Sequence, residues 1–261
     1  MNFQAPRTPK HPALRPPEHL SARLPPIQRP DVGLVLSSRW TVPTREAQQA
    51  AANAAMDAWE HVPWPEGLLS YSCLLGEDGT TVTHYSQWTG DEALQLFRRN
   101  DPPERVQGIL AAVPGIERHG VVTYRPFRDF VVEGPSEPPG CIVTVDITFE
   151  GPDPERQQRW VEAVLEAAAT GSRAQSGLLA AHFHLSTDGM RVLNLAEWTD
   201  AAAHRAFLES STTTPASASP QWHRVMHFPG LKGNGATGTP SWAQARRHLP
   251  YRGLFLPPTT T

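Results

Sequence analysis

The sequence predicts an α+β protein made of two ferredoxin-like domains in tandem, each ordered β-α-β-β-α-β, that close on one another as an intramolecular dimeric α+β barrel. Three observations predict it. First, the chain repeats itself: GLLSYSCLLGEDG begins at Gly67, GLLAAHFHLSTDG begins at Gly177, and 177 − 67 = 110. That offset also maps Asp78-Gly79 onto Asp188-Gly189, Trp88 onto Trp198, Ala93 onto Ala203 and Phe97 onto Phe207. Second, helix and strand signals follow the same order in both copies. Third, such a layout covers one sheet face with helices and leaves an apolar face that needs a partner, which the other copy supplies.

Each copy opens on a short, β-branched, alternating run, VGLVLSSRW at 32–40 and IVTVDITFE at 142–150, read as strands and paired by the same offset. Ala-, Glu- and Gln-rich stretches follow at 44–59 and 154–169, with Thr44 as N-cap and Pro154 in the first turn, hence helices. Two strands then meet at the tight turns Glu77-Asp78-Gly79 and Thr187-Asp188-Gly189, where glycine accepts φ > 0. Second helices are expected at 91–99 and 201–209, third short helices at 104–112 and 222–227, and closing strands at 121–125 and 253–256. The expected domains are 31–131 and 141–261, joined by the Pro-, Gly- and acid-rich linker VEGPSEPPG at 132–140.

The 261 residues carry 23 Lys+Arg against 26 Asp+Glu, a net charge of −3 that gives no field for a phosphate backbone, so no nucleic-acid partner is expected. No apolar run approaches the ~18 residues of a membrane helix. Two cysteines, Cys73 and Cys141, are too few for a disulfide framework or a four-Cys zinc site and suit a reducing interior. The N-terminus has Pro at 6, 9, 12, 16, 17, 25, 26 and 30 and no apolar signal core, so residues 1–30 are expected to be disordered and the protein cytoplasmic.

The stretch GLLAAHFHLSTDGMRVLNLAEWTDAAAHRAF (177–207), and more weakly GLLSYSCLLGEDGTTVTHYSQWTGDEALQLF (67–97), resembles the antibiotic biosynthesis monooxygenase family, which includes cofactor-independent quinone-forming oxygenases of aromatic polyketide pathways. The resemblance covers both copies, roughly 31–130 and 141–257. Those oxygenases place an Asn four residues before a strand-end Trp. Here the pattern stands as Asn194 and Trp198 in the second copy, and becomes His84 and Trp88 in the first. The family's pocket Tyr on the preceding strand falls on Phe183 and Cys73, and the Tyr six residues beyond the Trp on His204 and Leu94. Its third-helix Arg falls on Gln107 and Trp222, with Arg224 nearby. The second copy is therefore the expected active one and the first a degenerate site.

Side chains two apart on a strand share a face. Val143, Val145, Ile147 and Phe149 are assigned to the helices, and Thr144, Asp146 and Thr148 to the barrel, together with His182, His184, Asn194 and Trp198. In the first copy the barrel set is Leu34, Leu36, Ser38, Ser72, Leu74, His84 and Trp88, a drier face. Oxygenation without a cofactor needs a base, an oxyanion donor and a flat wall in a dry site. Asn194 offers the amide donor and Trp198 a stacking ring with an indole N–H. His182, His184, His204 or Asp146 offers the base. Phe183, Trp222, Arg224, Trp88 and His84 complete the expected substrate contacts. Each has a blander reading: strand-end Trp as packing, Asn194 as a satisfied interior amide, Asp146 as an anchor, and His182 with His184 as metal ligands lacking a third.

The resulting expectation is a cofactor-independent monooxygenase, with molecular oxygen as co-substrate and no flavin, haem or metal. It would oxidise an anthrone or hydroquinone to a quinone in antibiotic-type secondary metabolism. Its partner is a small aromatic molecule, and the chain acts as a monomeric pseudo-dimer or a homodimer. A haem-binding or haem-degrading protein with His204 or His84 as axial ligand is the alternative within the fold. A non-catalytic binder of a pathway intermediate is the alternative outside enzymology. Residues 232–247 read as a loop able to cover a cavity mouth.

Overall fold

Two long strands, each shared between the halves, organise the molecule. In this computed structural model, which describes residues 17–60, 62–100, 103–133, 137–170, 177–213, 219–232 and 245–258, the first half runs β2 (Leu34–Thr41), α1 (Arg45–Glu60), β3 (Leu68–Gly76), β4 (Thr81–Trp88), α2 (Asp91–Asn100), α3 (Pro103–Ala112) and β5 (Glu117–Val131), after a short β1 (Glu18–Ser21). The second runs β6 (Cys141–Thr148), α4 (Pro154–Thr170), β7 (Leu178–Ser186), β8 (Arg191–Trp198), α5 (Ala201–Thr213), α6 (Pro220–Met226) and β9 (Arg246–Phe255). Both halves have the expected β-α-β-β-α-β layout.

Local chemistry sets the ends. Thr44 Oγ1 accepts the Ala47 N–H at 3.1 Å and caps α1 as expected. Asp153 does the same for α4, ahead of Pro154, through the Arg156 N–H at 2.9 Å. The hairpin turns place Gly79 at φ 77° and Gly189 at φ 74°, where a side chain would be strained. Asp78 and Asp188 accept the Thr80 and Met190 N–H groups beside them. A buried glutamine pins each first helix to its hairpin: Gln48 Nε2 donates to the Gly76 and Thr81 carbonyls, and Gln157 Nε2 to those of Ser186 and Arg191.

The closing strands are far longer than the expected 121–125 and 253–256. β5 pairs with β2 through Glu117–Tyr124 and then with β7 through Tyr124–Val131. β9 pairs with β6 through Arg246–His248 and with β3 through His248–Phe255. The sheets therefore join edge to edge into one closed sheet, β9-β3-β4-β2-β5-β7-β8-β6 and back to β9, rather than packing face to face. Closure satisfies the edge N–H and C=O groups that two separate sheets would leave open. Because these strands serve two sheets, their polar stretches were not recognisable as strand. Arg246 and Arg247 belong to β9 and not to the expected loop, of which residues 233–244 lie outside the described residues.

Three cores result. α1–α3 pack on the outer face of the first half over Leu34, Trp40, Cys73, Val82 and Trp88. α4–α6 cover Val143, Ile147, Phe149, Phe183, Ala196 and Trp198 in the second. The barrel interior holds Val35, Leu74, Tyr85, Tyr124, Ile142, Leu193 and Leu195. The expectation of disorder over 1–30 is overturned for its described part, while 1–16 lie outside the described residues. β1 adds antiparallel to β9, Ile27 joins the barrel core, and its carbonyl accepts from Gln87 Nε2 at 2.6 Å. Extended proline-rich backbone has no internal hydrogen bonds, so it is free to dock as an edge strand.

Leu34 and Cys141 both pair with the strand-end Trp, at 88 and 198, so the opening strands are related by 141 − 34 = 107 positions and not by 110. The odd difference reverses the face assigned to β2. Leu34 and Leu36 face the helices and Val35 the barrel, opposite to the expectation.

Candidate functional site

The residues expected to form one site are divided by the sheet. Residues directly opposite in an antiparallel pair share a face. β7 pairs with β8 as His182 with Leu195, Phe183 with Asn194 and His184 with Leu193. Asn194 therefore lies on the helix face with Phe183, and Trp198 with it, while His182 and His184 face the barrel. The same pairing places His84, opposite Cys73, and Trp88 on the helix face of the first half. The assignment of Asn194, Trp198, His84 and Trp88 to the barrel is thus corrected. Thr144, Asp146, His182, His184, Ser72 and Leu74 do face the barrel.

On the helix face of the second half, Ala181 sits opposite Ala196, between the Phe183–Asn194 pair and Trp198. Asn194 and Trp198, four positions apart on a strand, are separated by about 13 Å, comparable to the length of a three-ring aromatic. The same core holds Trp160, Val161 and Val164 of α4, and α5 brings His204 and Phe207 against Trp198. Trp198 meets the His204 ring edge-on at 5.0 Å and Phe207 at 5.4 Å. Asn194 Oδ1 and Trp198 Nε1 are buried on this face without a hydrogen-bond partner, and Trp160 Nε1, whose ring packs on Phe149, is unpartnered in the same core. Burying such atoms unpaired costs ~1–3 kcal/mol each, which makes them candidates for ligand contacts. Trp160 was missed by sequence reasoning. Its place on the apolar side of the predicted helix was the available signal.

His204 is buried, and desolvation, then the neighbouring Arg247, push it down to about 4. Arg247 Nη1 lies 3.5 Å from His204 Nδ1. A guanidinium can only donate, so in the neutral ring Nε2 carries the hydrogen and His204 presents a donor, not a base. Trp222 packs half-buried at the edge of this core, on α6, whose N-cap Ser219 accepts the Trp222 N–H at 3.2 Å. Arg224 is exposed and ion-paired to Glu166 on α4, outside the site where it was expected.

The other candidates lie inside the barrel. His182 Nδ1 donates to Asp129 at 2.6 Å, with Glu197 3.7 Å from its Nε2; burial opposes the charge, but the two carboxylates raise the ring to about 9. His184 Nε2 lies 3.0 Å from Tyr85 Oη, and burial, then His182, lower it to about 4. Neither histidine reaches the helix-face strip. Asp146 faces Arg39 and Arg246 at one barrel mouth, at 4.0 and 3.4 Å. The three barrel-facing bases are therefore removed from the Asn194 site. Among the described residues no three His, Cys, Asp or Glu side chains converge as a metal site, and no helix is long and apolar enough to cross a membrane.

The first half fills the corresponding strip. Tyr71 stands where the second half has Ala181, 5.0 Å from the Trp59 ring, and its hydroxyl bonds His84 Nδ1 at 2.8 Å. Trp40 packs 4.1 Å from His84, and Arg105 lies 4.1 Å over Trp59. Trp88 Nε1 donates to Ser86 at 3.1 Å, where the second half has Ala196. Burial lowers His84 to about 3 and leaves its Nε2 unpartnered.

Residues 142–224 match the antibiotic biosynthesis monooxygenase family. No curated protein matches the chain in sequence. Among solved structures, an anthrone oxidase-like protein superposes with a TM-score of 0.64 at 15% identity, over 90% of this chain and 95% of that one. A monooxygenase-like protein from Listeria innocua gives 0.41 at 15% identity, over 84% and 94%. A mutant chlorite dismutase from Candidatus Nitrospira defluvii in complex with cyanide gives 0.49 at 9% identity, over 84% and 91%. The first likeness extends over both halves and shows a common fold. The family match lies within the second half, whose Asn194 and Trp198 it includes.

Proposed function

We propose that the chain is a cofactor-independent oxygenase that converts an electron-rich polycyclic aromatic, an anthrone or hydroquinone, to a quinone in the helix-face site of the second half. One observation carries the reading: Asn194 Oδ1 and Trp198 Nε1 are buried and unpartnered on the face where Ala181 sits opposite Ala196. A buried, unsatisfied indole N–H beside small alanines suits an aromatic enolate better than a neutral ketone. The Trp198 indole N–H, with His204 as a second donor, favours the anion over its conjugate acid. Asn194 Oδ1 accepts a phenolic O–H. No base among the expected residues lies on this face except His204, which presents a donor. The site therefore acts by stabilising the enolate, and the proton leaves to solvent.

The substrate supplies the electrons. The anthrone carbanion adds dioxygen to form a C–O bond, the peroxide takes up a proton, and the O–O and remaining C–H bonds break to give the quinone carbonyl and water. Oxygen uptake by metal-stripped protein with an anthrone tests this. Uptake should survive chelation, fall about a hundredfold in Asn194→Ala, and be unchanged in His84→Ala per folded molecule. Uptake no faster than the anthrone's spontaneous oxidation overturns the oxygenase reading. Dependence on added haem, with a Soret band on titration, replaces it.

A further inference from the structure

The pocket at one mouth of the barrel belongs to neither helix-face core. It has a volume of about 270 Å3 and brings together Arg39 of β2, Arg191 of β8 and Arg246 of β9, with Asp146 and Thr144 of β6 and Ser37 of β2. Arg39 Nη1 and Arg246 Nη1 approach the same atom, Asp146 Oδ2, at 4.0 and 3.4 Å. Two guanidiniums from different strands thus converge on one oxygen.

The charges in the mouth do not balance. Three arginines face one carboxylate, in a chain whose net charge is −3. Of the nearby turn carboxylates, Asp188 pairs with Arg191 at 3.8 Å while accepting from Ser186 Oγ and the Met190 N–H, and Asp78, which accepts the Thr80 and Thr81 N–H groups, favours the charge on Arg39 from a distance, so among the described residues Arg39 and Arg246 share only Asp146 as a direct partner. His119 also lines the mouth, 2.7 Å from Thr41 Oγ1. Deeper in, His248 is buried with Nε2 against Thr144 Oγ1 at 2.9 Å and Nδ1 unpartnered. Desolvation first, and Arg246 second, disfavour the charge on Arg39, so the pair is not fully compensated by Asp146. The mouth lies across β8 from the helix-face strip, Leu193 lining the mouth and Asn194 the strip.

We propose that the barrel mouth is a second binding site, for a small oxyanion, held by the paired N–H groups of Arg39 and Arg246 with Arg191 completing the positive rim. Guanidinium forks match the oxygens of phosphate and carboxylate groups alike, and the site is specified here to that shared chemistry. Asp146 acts as an internal occupant that the ligand displaces. This proposal stands apart from the oxygenase reading and needs no turnover.

Calorimetric titration of the full chain with inorganic phosphate and with malonate, against chloride at matched ionic strength, tests it. Saturable binding at about 1 mM or tighter is expected for at least one oxyanion and not for chloride. Preference for phosphate assigns a phosphoryl ligand, and preference for malonate a carboxylate. Arg39→Gln and Arg246→Gln should each weaken binding about tenfold. Asp146→Asn, which removes the competing carboxylate, should tighten it by a similar factor. Far-UV circular dichroism verifies that each variant is folded, and Arg246→Lys, retaining charge without the fork, should bind less tightly than wild type. The proposal is overturned if neither oxyanion saturates wild type or Asp146→Asn, or if Arg39→Gln and Arg246→Gln bind as wild type does.

Discussion

The first and second halves lay the same strands and helices over the same kind of sheet face, yet in one the strand-end indole has a hydrogen-bond partner and in the other it has none. Tyr71, Ser86 and His84 in the first half occupy the positions of Ala181, Ala196 and Asn194 in the second. Tyr71 fills space against Trp59 and bonds His84, and Ser86 satisfies the Trp88 indole. Ala181 and Ala196 do neither, so Trp198 Nε1 and Asn194 Oδ1 remain without partners. Duplication frees one copy to become a packed core while the other keeps unsatisfied polar atoms, the usual compromise between stability and activity.

Removing the filler is expected to have the largest effect. Tyr71→Ala should lower unfolding free energy by about 3–5 kcal/mol, as for other buried aromatics, with turnover per folded molecule unchanged. Chemical denaturation and oxygen uptake on one preparation measure both. A loss of turnover per folded molecule would place activity in the first half and break the comparison.

The converse substitution sharpens it. Ala181→Tyr should cut turnover about a hundredfold by occupying the strip, while costing less than the ~1–3 kcal/mol of overpacking a dense core. A large stability loss in thermal unfolding would mean the second half is as tightly filled as the first.

The barrel face differs between halves as well, because the second half has His182 where the first has Ser72. With a folded value of about 9 against about 6.5 unfolded, His182 contributes stability that is complete below pH about 6.5 and is lost as pH rises through about 9. The contribution is on the order of 3 kcal/mol. Denaturation between pH 6 and 9.5 should show the decline in wild type and a flatter profile in Asp129→Asn. An unchanged slope in that variant would remove Asp129 as the cause.

The smallest effect copies one atom across. Ala196→Ser gives Trp198 the partner that Ser86 gives Trp88, and should stabilise the protein by about 0.5–1.5 kcal/mol while slowing turnover. If stability is unchanged, the Trp198 N–H was already satisfied by water.

The helices, the hairpin turns with Gly79 and Gly189, and the order of elements were legible because each is written in local spacing. Val143, Ile147 and Phe149 were correctly assigned to the helices for the same reason. β5 and β9 were read too short because half of each is pinned by strands of the other copy, which no local pattern announces. Asn194 and Trp198 were grouped with His182 and His184 because alternation orders residues within one strand, whereas the face shared between strands depends on pairing register. Arg224 was drawn in by its helix position, but the turn of α6 aims it at Glu166.

The sequence by itself determined that this protein is a duplicated ferredoxin-like chain whose second copy keeps the Asn-to-Trp spacing, since repeats, turns and periodicity are properties of neighbouring residues. Only the tertiary structure decided which face of the sheet those residues occupy, that the sheets close edge to edge, and that Arg39 and Arg246 meet over Asp146. Those outcomes rest on strand register and on contacts between distant residues, where a shift of one position exchanges the inside of the barrel for the outside.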